Sequence, residues 1–228
     1  MSDPQTVLDD LAGDAPVADL AESFLAFERP PGNDPVLLVA EAAASTTGQS
    51  YVDGIHPTLE RFRETFVETD RVDSLADLAD LDPEDEDLVE AFGAQRKRTV
   101  LQAIAAEIAS TDEDDLPALT DWAATADHYA YKDDPIGAIS GVGPATFQYL
   151  RILAGIPVAK PDPQLEALVT EVGETLESGP LVDATGLYAI AAAEWLSLET
   201  SYTMLEIDQL AWWRHTDPEE RDAALEVV

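Results

Sequence analysis

Hydrophobic residues along this chain recur at helical spacing. A nearly all-apolar run over residues 36–43 predicts a helix that is buried on every side. One-sided apolar spacing over 100–108 and over 187–198 predicts two further packed helices. No alternating strand pattern is found, so the sequence predicts an all-α protein of roughly ten to twelve helices.

Asp-Pro pairs punctuate the helical pattern. Asp favours the position that caps a helix, and Pro favours the first helical position, so each pair predicts a helix start. The six pairs begin at residues 3, 34, 82, 134, 162 and 217.

Charge is the extreme feature of the composition. The chain has 47 Asp and Glu residues against 12 Lys and Arg residues, a formal net charge of −35. Charges of one sign repel each other in dilute salt, but at about 1 M salt the screening length falls to roughly 3 Å. We therefore interpret the chain as a cytoplasmic protein of an extreme halophile. The alternative is an acidic disordered protein, and the helical periodicity and the four Trp residues argue against it.

Several classes of protein are excluded by residues that the sequence lacks. There is no cysteine, which excludes disulfides, thiolate catalysis and cysteine-ligated zinc or iron–sulfur sites. No basic residue precedes Arg29, and no apolar run reaches about 18 residues, so we expect neither a signal peptide nor a membrane partner. The histidines are too scattered to predict a metal site; they are His56, His128 and His215.

The stretch 139–162 carries the most specific pattern. Gly141 and Gly143 form a Gly-x-Gly turn, a short apolar helix follows, and a Gly- and Pro-containing loop over 155–161 leads to Asp162. Glycines in such a turn allow backbone N–H groups to approach an anion closely. The pattern therefore predicts an anion-binding turn with a carboxylate downstream of it.

This segment resembles the helix-hairpin-helix of the DNA glycosylase superfamily that includes endonuclease III. The order and spacing of predicted helices over about 34–170 resemble the family as well. The resemblance implies a two-lobed all-α fold. One lobe is a helical barrel over 31–155 that contains the helix-hairpin-helix at about 136–154. The other lobe combines 1–30 with 156–228.

The resemblance also implies a chemistry. Asp162 matches the family's catalytic aspartate, whose carboxylate stabilises the positive charge that develops on the sugar when an N-glycosidic bond breaks. The alternative role for Asp162 is helix capping. Ala145 stands where bifunctional members carry a lysine nucleophile, so strand cleavage through a Schiff base is not expected. No iron–sulfur cluster and no other required cofactor is expected.

The hairpin is expected to contact the DNA backbone. Its N–H groups would bind a phosphate and set the register on the duplex without reading sequence. The residues concerned are Gly141, Val142, Gly143 and Thr146. By resemblance, carbonyl groups of the same turn hold a monovalent cation such as K⁺. The alternative is an ordinary interhelical turn.

Basic and aromatic residues complete the predicted DNA surface. Retained positive charge in so acidic a chain suggests a phosphate contact at the triplet Arg96, Lys97 and Arg98, with salt-bridged helix ends as the alternative. An extruded base needs stacking partners, and a wedge must fill the gap that it leaves. The candidates are Gln49, Tyr51, Tyr129, Tyr131 and Lys132. Core packing is the alternative for each of these residues.

Three functional hypotheses follow. The first is a monofunctional DNA base-excision glycosylase that binds double-stranded DNA as a monomer, with Asp162 as the catalytic residue. The second is a DNA-binding protein that keeps the glycosylase fold and lacks the chemistry. The third is an acidic helical protein without a nucleic-acid role, whose hairpin is only a structural turn.

Overall fold

The computed structural model describes residues 3–227, and all regular structure in this range is helical. The all-α prediction is confirmed. The helices before the glycine turn are α1 (Pro4–Ala12), α2 (Val17–Leu25), α3 (Pro35–Ala44), α4 (His56–Phe62), α5 (Leu75–Asp80), α6 (Glu86–Phe92), α7 (Gln95–Ile108) and α8 (Asp115–Thr125). Those after it are α9 (Pro144–Leu153), α10 (Pro163–Thr175), α11 (Gly179–Val182), α12 (Leu187–Glu199), α13 (Met204–His215) and α14 (Pro218–Val227).

Helix α3 is the central helix of the N-terminal half. Asp34 caps it by accepting hydrogen bonds from the N–H groups of Val36 and Leu37, at 2.9 and 3.3 Å. Every residue from 36 to 44 is buried, including Glu41, and the helix packs against α7 and α9. Burying each Val or Leu side chain contributes about 1.5–3 kcal/mol, so this helix anchors the surrounding helices.

The apolar residues form two main cores. One draws its buried members from residues 36–154. The other draws on residues 7–17 together with 159–211. A small third cluster contains Ile152 and Leu205 and lies at the junction of the two. The chain passes from the first core to the second through the loop between α9 and α10.

The predicted helix-hairpin-helix over 136–154 contains one α-helix within its bounds. Its second arm is α9, but the segment 134–141 forms a series of turns instead of a first helix. The Asp134 carboxylate accepts hydrogen bonds from two backbone N–H groups just after it, at 2.8 and 3.2 Å. A Cβ at Gly137 would lie 1.8 Å from the Tyr131 carbonyl oxygen, so the turns pack closely on the preceding chain.

Two of the six Asp-Pro pairs do not begin helices. The pairs at Asp82 and Asp134 begin turns, in which each aspartate accepts a hydrogen bond from an N–H group two residues later. The other four pairs each precede an α-helix. An aspartate can hydrogen-bond nearby N–H groups equally well in a turn and at a helix start, so the pair marks a change of direction more reliably than a helix.

Candidate functional site

Asp162 caps α10 and forms an ion pair. One carboxylate oxygen, Oδ1, accepts hydrogen bonds from the N–H groups of Gln164 and Leu165, both at 3.0 Å. The other, Oδ2, lies 2.8 Å from the Lys160 ammonium. The side chain is 15 % exposed. Both oxygens therefore have partners within the protein.

Lys160 connects Asp162 to a second carboxyl group on α13. Its backbone N–H donates to Asp208 Oδ1 at 2.8 Å. Asp208 is only 4 % exposed, and burial, with a contribution from Asp162, raises its pKa to about 6 although Lys160 opposes the change. Burial alone would lower the pKa of Lys160, but Asp162 and Asp208 outweigh it and the pKa is raised. Lys160 is therefore held as an ammonium between two carboxyl groups.

A buried ion pair lies on the other side of the junction. The Arg29 guanidinium donates to Glu41 Oε1 at 2.9 Å, and the two side chains are 7 % and 0 % exposed. The Tyr149 hydroxyl donates to the same Glu41 oxygen at 2.5 Å. Burial and the Glu41 charge raise the pKa of Tyr149 well above its ordinary value. The Arg29 guanidinium carbon also lies 4.2 Å from the centre of the Phe24 ring, a cation–π contact.

Tyr149 joins these two groups. The Lys160 ammonium lies 5.4 Å from the centre of its ring. Glu41 and Tyr149 belong to helices of the first core, whereas Asp162 and Asp208 begin or lie in helices of the second. We call the connected set the junction cluster; it consists of Arg29, Glu41, Tyr149, Lys160, Asp162 and Asp208.

Two buried polar atoms, one in the junction cluster and one beside it, are available for hydrogen bonding. The Glu41 Oε2 atom and the Tyr51 hydroxyl are buried, and neither has a hydrogen-bond partner within residues 3–227. Burial, followed by the Glu41 charge, raises the pKa of Tyr51 to about 12, so its hydroxyl remains a donor. Tyr51 begins a π-helical turn, Tyr51–Ile55, and such turns are frequent at functional sites. An unpaired buried polar group costs about 1–3 kcal/mol, so this arrangement suits ligand binding better than stability.

Only one of the two glycines in the turn has a backbone conformation that requires glycine. Gly141 has φ +109, and a Cβ there would lie 2.7 Å from Val100 Cγ2. Gly143 has φ −106 and no atom within 4 Å of an added Cβ. No side chain caps α9, so the first N–H groups of this helix stay available at Gly143 and Ala145. An anion can approach the turn at this point.

Other predicted hairpin contacts are less accessible. Val142 and Thr146 are buried, and the Val142 N–H donates to the Ile139 carbonyl. Val142 therefore has no free N–H group for a phosphate, which corrects that prediction. The Gly141 carbonyl accepts a hydrogen bond from the Arg96 guanidinium at 2.9 Å. This places a positive charge beside the carbonyls where K⁺ was expected, and the K⁺ site stays a prediction.

The three residues of the basic triplet differ in their exposure to solvent. Arg96 is exposed, but Lys97 and Arg98 are buried. Lys97 donates to Gln49 Oε1 at 2.6 Å, and Arg98 donates to two backbone carbonyls and to Glu84. The prediction that Lys97 and Arg98 contact DNA is therefore wrong in this structure, because their donors stabilise the first core. Helical spacing explains the division: successive residues point in different directions around α7.

The aromatic candidates lie in two places. Tyr129, Tyr131 and Lys132 line one open cavity of about 490 Å³, together with Pro144 and Leu187. The Tyr129 side chain is half exposed, and its hydroxyl donates to Glu194 on α12 at 2.6 Å. These residues therefore lie beside the start of α9, and their role in binding a base stays a prediction.

The remaining two candidates do not share that cavity. Tyr51 points into the protein beside Glu41, so a wedge role for it is a correction: its ring is packed near Arg29 and His56. Gln49 is exposed and holds Lys97. The junction cluster meets α9 at Tyr149, about 8 Å along the helix axis from Pro144. The glycine turn lies at the start of α9, whereas Asp162 is connected to this helix only through Lys160, which lies over the Tyr149 ring.

The structure contains functional candidates that no sequence motif marks. They are Arg29, Glu41, Tyr149, Lys160 and Asp208. Only Glu41 carries a visible signal, because it is the single charged residue in the apolar run of α3. Within residues 3–227 no group of three or more His, Asp or Glu side chains is arranged to hold a metal ion. No helix of the described chain has the length and apolar character needed to cross a membrane.

Comparison with known proteins identifies no family for this chain. No family model, no curated protein and no solved structure matches this chain. The likeness to helix-hairpin-helix glycosylases therefore depends on the residues of 139–162 and on the order of the helices.

Proposed function

We propose that this protein is a monofunctional DNA N-glycosylase that acts on an extruded base. The observation that carries the proposal is the junction cluster, in which Asp162 lies among buried, ionisable side chains with perturbed pKa values. Such clusters are more frequent at functional sites than elsewhere in proteins. We also propose a cytoplasmic, halophilic setting, because a chain of net charge −35 needs concentrated salt to relieve self-repulsion.

The residues of the cluster fit distinct steps of this chemistry. Lys160 and the two N–H groups of α10 fix the orientation of the Asp162 carboxylate. A fixed carboxylate stabilises the sugar cation that forms as the N-glycosidic bond breaks. The free Glu41 oxygen accepts, and the Tyr51 hydroxyl donates, hydrogen bonds to the edge of a base. Because these groups are buried, binding requires the two cores to separate locally at the junction.

The glycine turn supports the same proposal at the protein surface. Uncapped N–H groups at the start of α9 can bind a phosphate, and exposed Arg96 adds a positive charge beside the turn. The cavity lined by Tyr129, Tyr131 and Lys132 adjoins this end of α9. A duplex seated here would lie next to aromatic side chains that can stack on a base.

A second candidate is a DNA-binding protein without catalysis. The specific observation in its favour is that both Asp162 oxygens already have partners, one in the helix cap and one in the ion pair. That arrangement stabilises α10 and needs no chemistry to explain it. The two candidates share the DNA surface and differ in whether the Asp162 charge is used in a reaction.

An Asp162→Asn variant with a matched control separates the candidates. Asparagine caps helices as well as aspartate, so the substitution removes the charge and keeps the cap. Asp34→Asn is the control, because Asp34 caps α3 before a proline in the same manner. Release of alkylated, oxidised, deaminated and mismatched bases is measured in about 2 M KCl, where the screening length is only a few ångströms.

We expect Asp162→Asn to lower base release at least about 100-fold while duplex affinity is kept. Asp34→Asn should leave both unchanged. Release that is unaffected by Asp162→Asn would overturn the catalytic role. Duplex binding without release from any substrate would establish the second candidate. Neither binding nor release would leave an acidic helical protein whose hairpin is a structural turn.

A further inference from the structure

Helix α12 presents an exposed apolar stripe to solvent. Tyr188, Trp195 and Leu198 are 77 %, 39 % and 83 % exposed, and the partly exposed Ala191 lies between them. Their spacing of three, four and three residues places all four on one helix face. With half-exposed Tyr129 they offer about 450 Å² of apolar surface, the size of the largest apolar patch on a typical monomer, and such patches are often functional.

The stripe is self-complementary. Its four positions are symmetric about residue 193, so an antiparallel two-fold pairing places Tyr188 opposite Leu198 of a second copy. The same pairing places the small Ala191 opposite the large Trp195 of that copy. Alternation of small and large residues lets two helices pack closely, and identical patches that face each other are the rule for two-fold dimers.

The two ends of α12 complement each other in shape. At its N-terminal end Leu187 forms part of the wall of the cavity of about 490 Å³. At its C-terminal end Leu198 protrudes into solvent. In the antiparallel pairing each protruding Leu198 reaches the cavity of the other copy. The two insertions are equivalent, so the contact closes on itself.

A pair of opposite charges also fits the pairing with a second copy. Lys132 lines the cavity, is exposed and has no ion-pair partner within 4.0 Å in the described chain. Glu199 follows Leu198, is exposed and is likewise without an ion pair in residues 3–227. The two-fold pairing brings Lys132 of one copy next to Glu199 of the other. Nucleic acid fits less well, because Glu194 and Glu199 line the stripe.

We infer that this surface, the α12 stripe with its adjoining cavity, joins two copies of the chain in concentrated salt. Two apolar patches of about 450 Å² bury about 900 Å² in total, which is the size of a weak, concentration-dependent interface. Each copy carries a net charge of −35, so the contact requires salt to screen repulsion between copies. The inference does not rest on the proposed glycosylase function. Because the dimer fills the cavity lined by Tyr129, Tyr131 and Lys132, a second copy and a duplex seated there exclude each other.

Sedimentation velocity in about 3 M KCl over a concentration series tests the inference. We expect a wild-type dimer, and a twofold lower mass for Leu198→Glu. The matched control is Leu225→Glu, because Leu225 is also an exposed leucine but lies on α14. This control should remain a dimer. Circular dichroism establishes that each variant is folded, which is expected because both substitutions are at exposed positions.

The ion pair gives an independent arm. At the lowest KCl concentration at which the wild type is still a dimer, Lys132→Glu and Glu199→Lys should each weaken the dimer, and the two together should restore it. A wild-type protein that is monomeric at every concentration would overturn the inference, as would a dimer that survives Leu198→Glu. If the protein is monomeric and Leu198→Glu instead weakens duplex binding, the stripe belongs to a nucleic-acid surface.

Discussion

The Lys160 ammonium lies 2.8 Å from Asp162 Oδ2, while the backbone N–H of the same lysine donates to Asp208 Oδ1 at 2.8 Å. One residue therefore ties the start of α10 to the middle of α13. The loop between α9 and α10 is held in place through its charged side chain and its backbone together. The position of Asp162 is fixed by this arrangement as much as by its own helix cap.

The stability of the fold should depend on the protonation of Asp208. Its pKa of about 6 lies above the ordinary 3.8 because the group is buried, so the folded protein binds this proton more tightly than the unfolded chain does. The stability that this group contributes is therefore present below about pH 4 and is lost as the pH rises through 6. We expect Asp208→Asn to match the wild type near pH 4 and to be more stable by about 1–3 kcal/mol at pH 8.

Chemical denaturation in molar KCl from pH 4 to pH 8 measures this difference. Asp121→Asn is the control, because Asp121 is exposed on α8 and the substitution removes the same charge. The pH dependence that this control shows measures the loss of one surface charge and is subtracted from that of Asp208→Asn. A pH-independent difference for Asp208→Asn would show that Asp208 titrates alike in the folded and unfolded protein.

The Arg29–Glu41 pair should be costly to break from one side. Glu41→Gln leaves the buried Arg29 guanidinium without an anion, and removal of one partner of a buried pair costs about 3–5 kcal/mol. The combined Arg29→Met and Glu41→Leu variant should be less destabilised than Glu41→Gln, because neither charge is left behind. The free energy of unfolding in molar KCl is the measurement for both.

An exposed pair provides the comparison for Glu41. Arg71 pairs with Asp87 at 2.6 Å on the surface, and Asp87→Asn should cost no more than about 1 kcal/mol. If Glu41→Gln were as mild as Asp87→Asn, the interior at Glu41 would have to admit enough water to solvate the arginine.

The sequence predicts the helical class and much of the packing because these depend on local patterns. The apolar run of α3 and the caps at Asp34 and Asp162 are each determined by a few consecutive residues. Turn formation at Asp134 was not predicted, because the same local hydrogen bonds serve a turn or a helix start.

The junction cluster could not be predicted in the same way. Glu41, Tyr149 and Asp208 are far apart in sequence, and only tertiary packing brings them to one place. In a chain with 47 acidic residues, Asp208 carries no distinguishing signal. Glu41 differs from the other acidic residues because every neighbour in its helix is apolar. A helix that is apolar on all sides is buried, so the pattern marks Glu41 as a buried charge.

Substitution by alanine should destabilise the fold to different extents at the two arginines of the basic triplet. Arg98 is buried and donates to the Pro83 and Gly93 carbonyls, so Arg98→Ala should destabilise the fold by about 2–4 kcal/mol. Arg96 is exposed, so Arg96→Ala should change stability by less than about 1 kcal/mol. The free energy of unfolding in molar KCl measures both changes.

Duplex affinity should show the reverse order if the glycine turn binds DNA. Arg96 lies beside the turn through its hydrogen bond to Gly141, so Arg96→Ala should weaken binding in molar KCl by about tenfold, whereas folded Arg98→Ala should bind as the wild type does. Fluorescence anisotropy with a labelled duplex measures both, at a temperature where Arg98→Ala is still folded. Equal affinities for wild type and Arg96→Ala would remove Arg96 from the DNA surface.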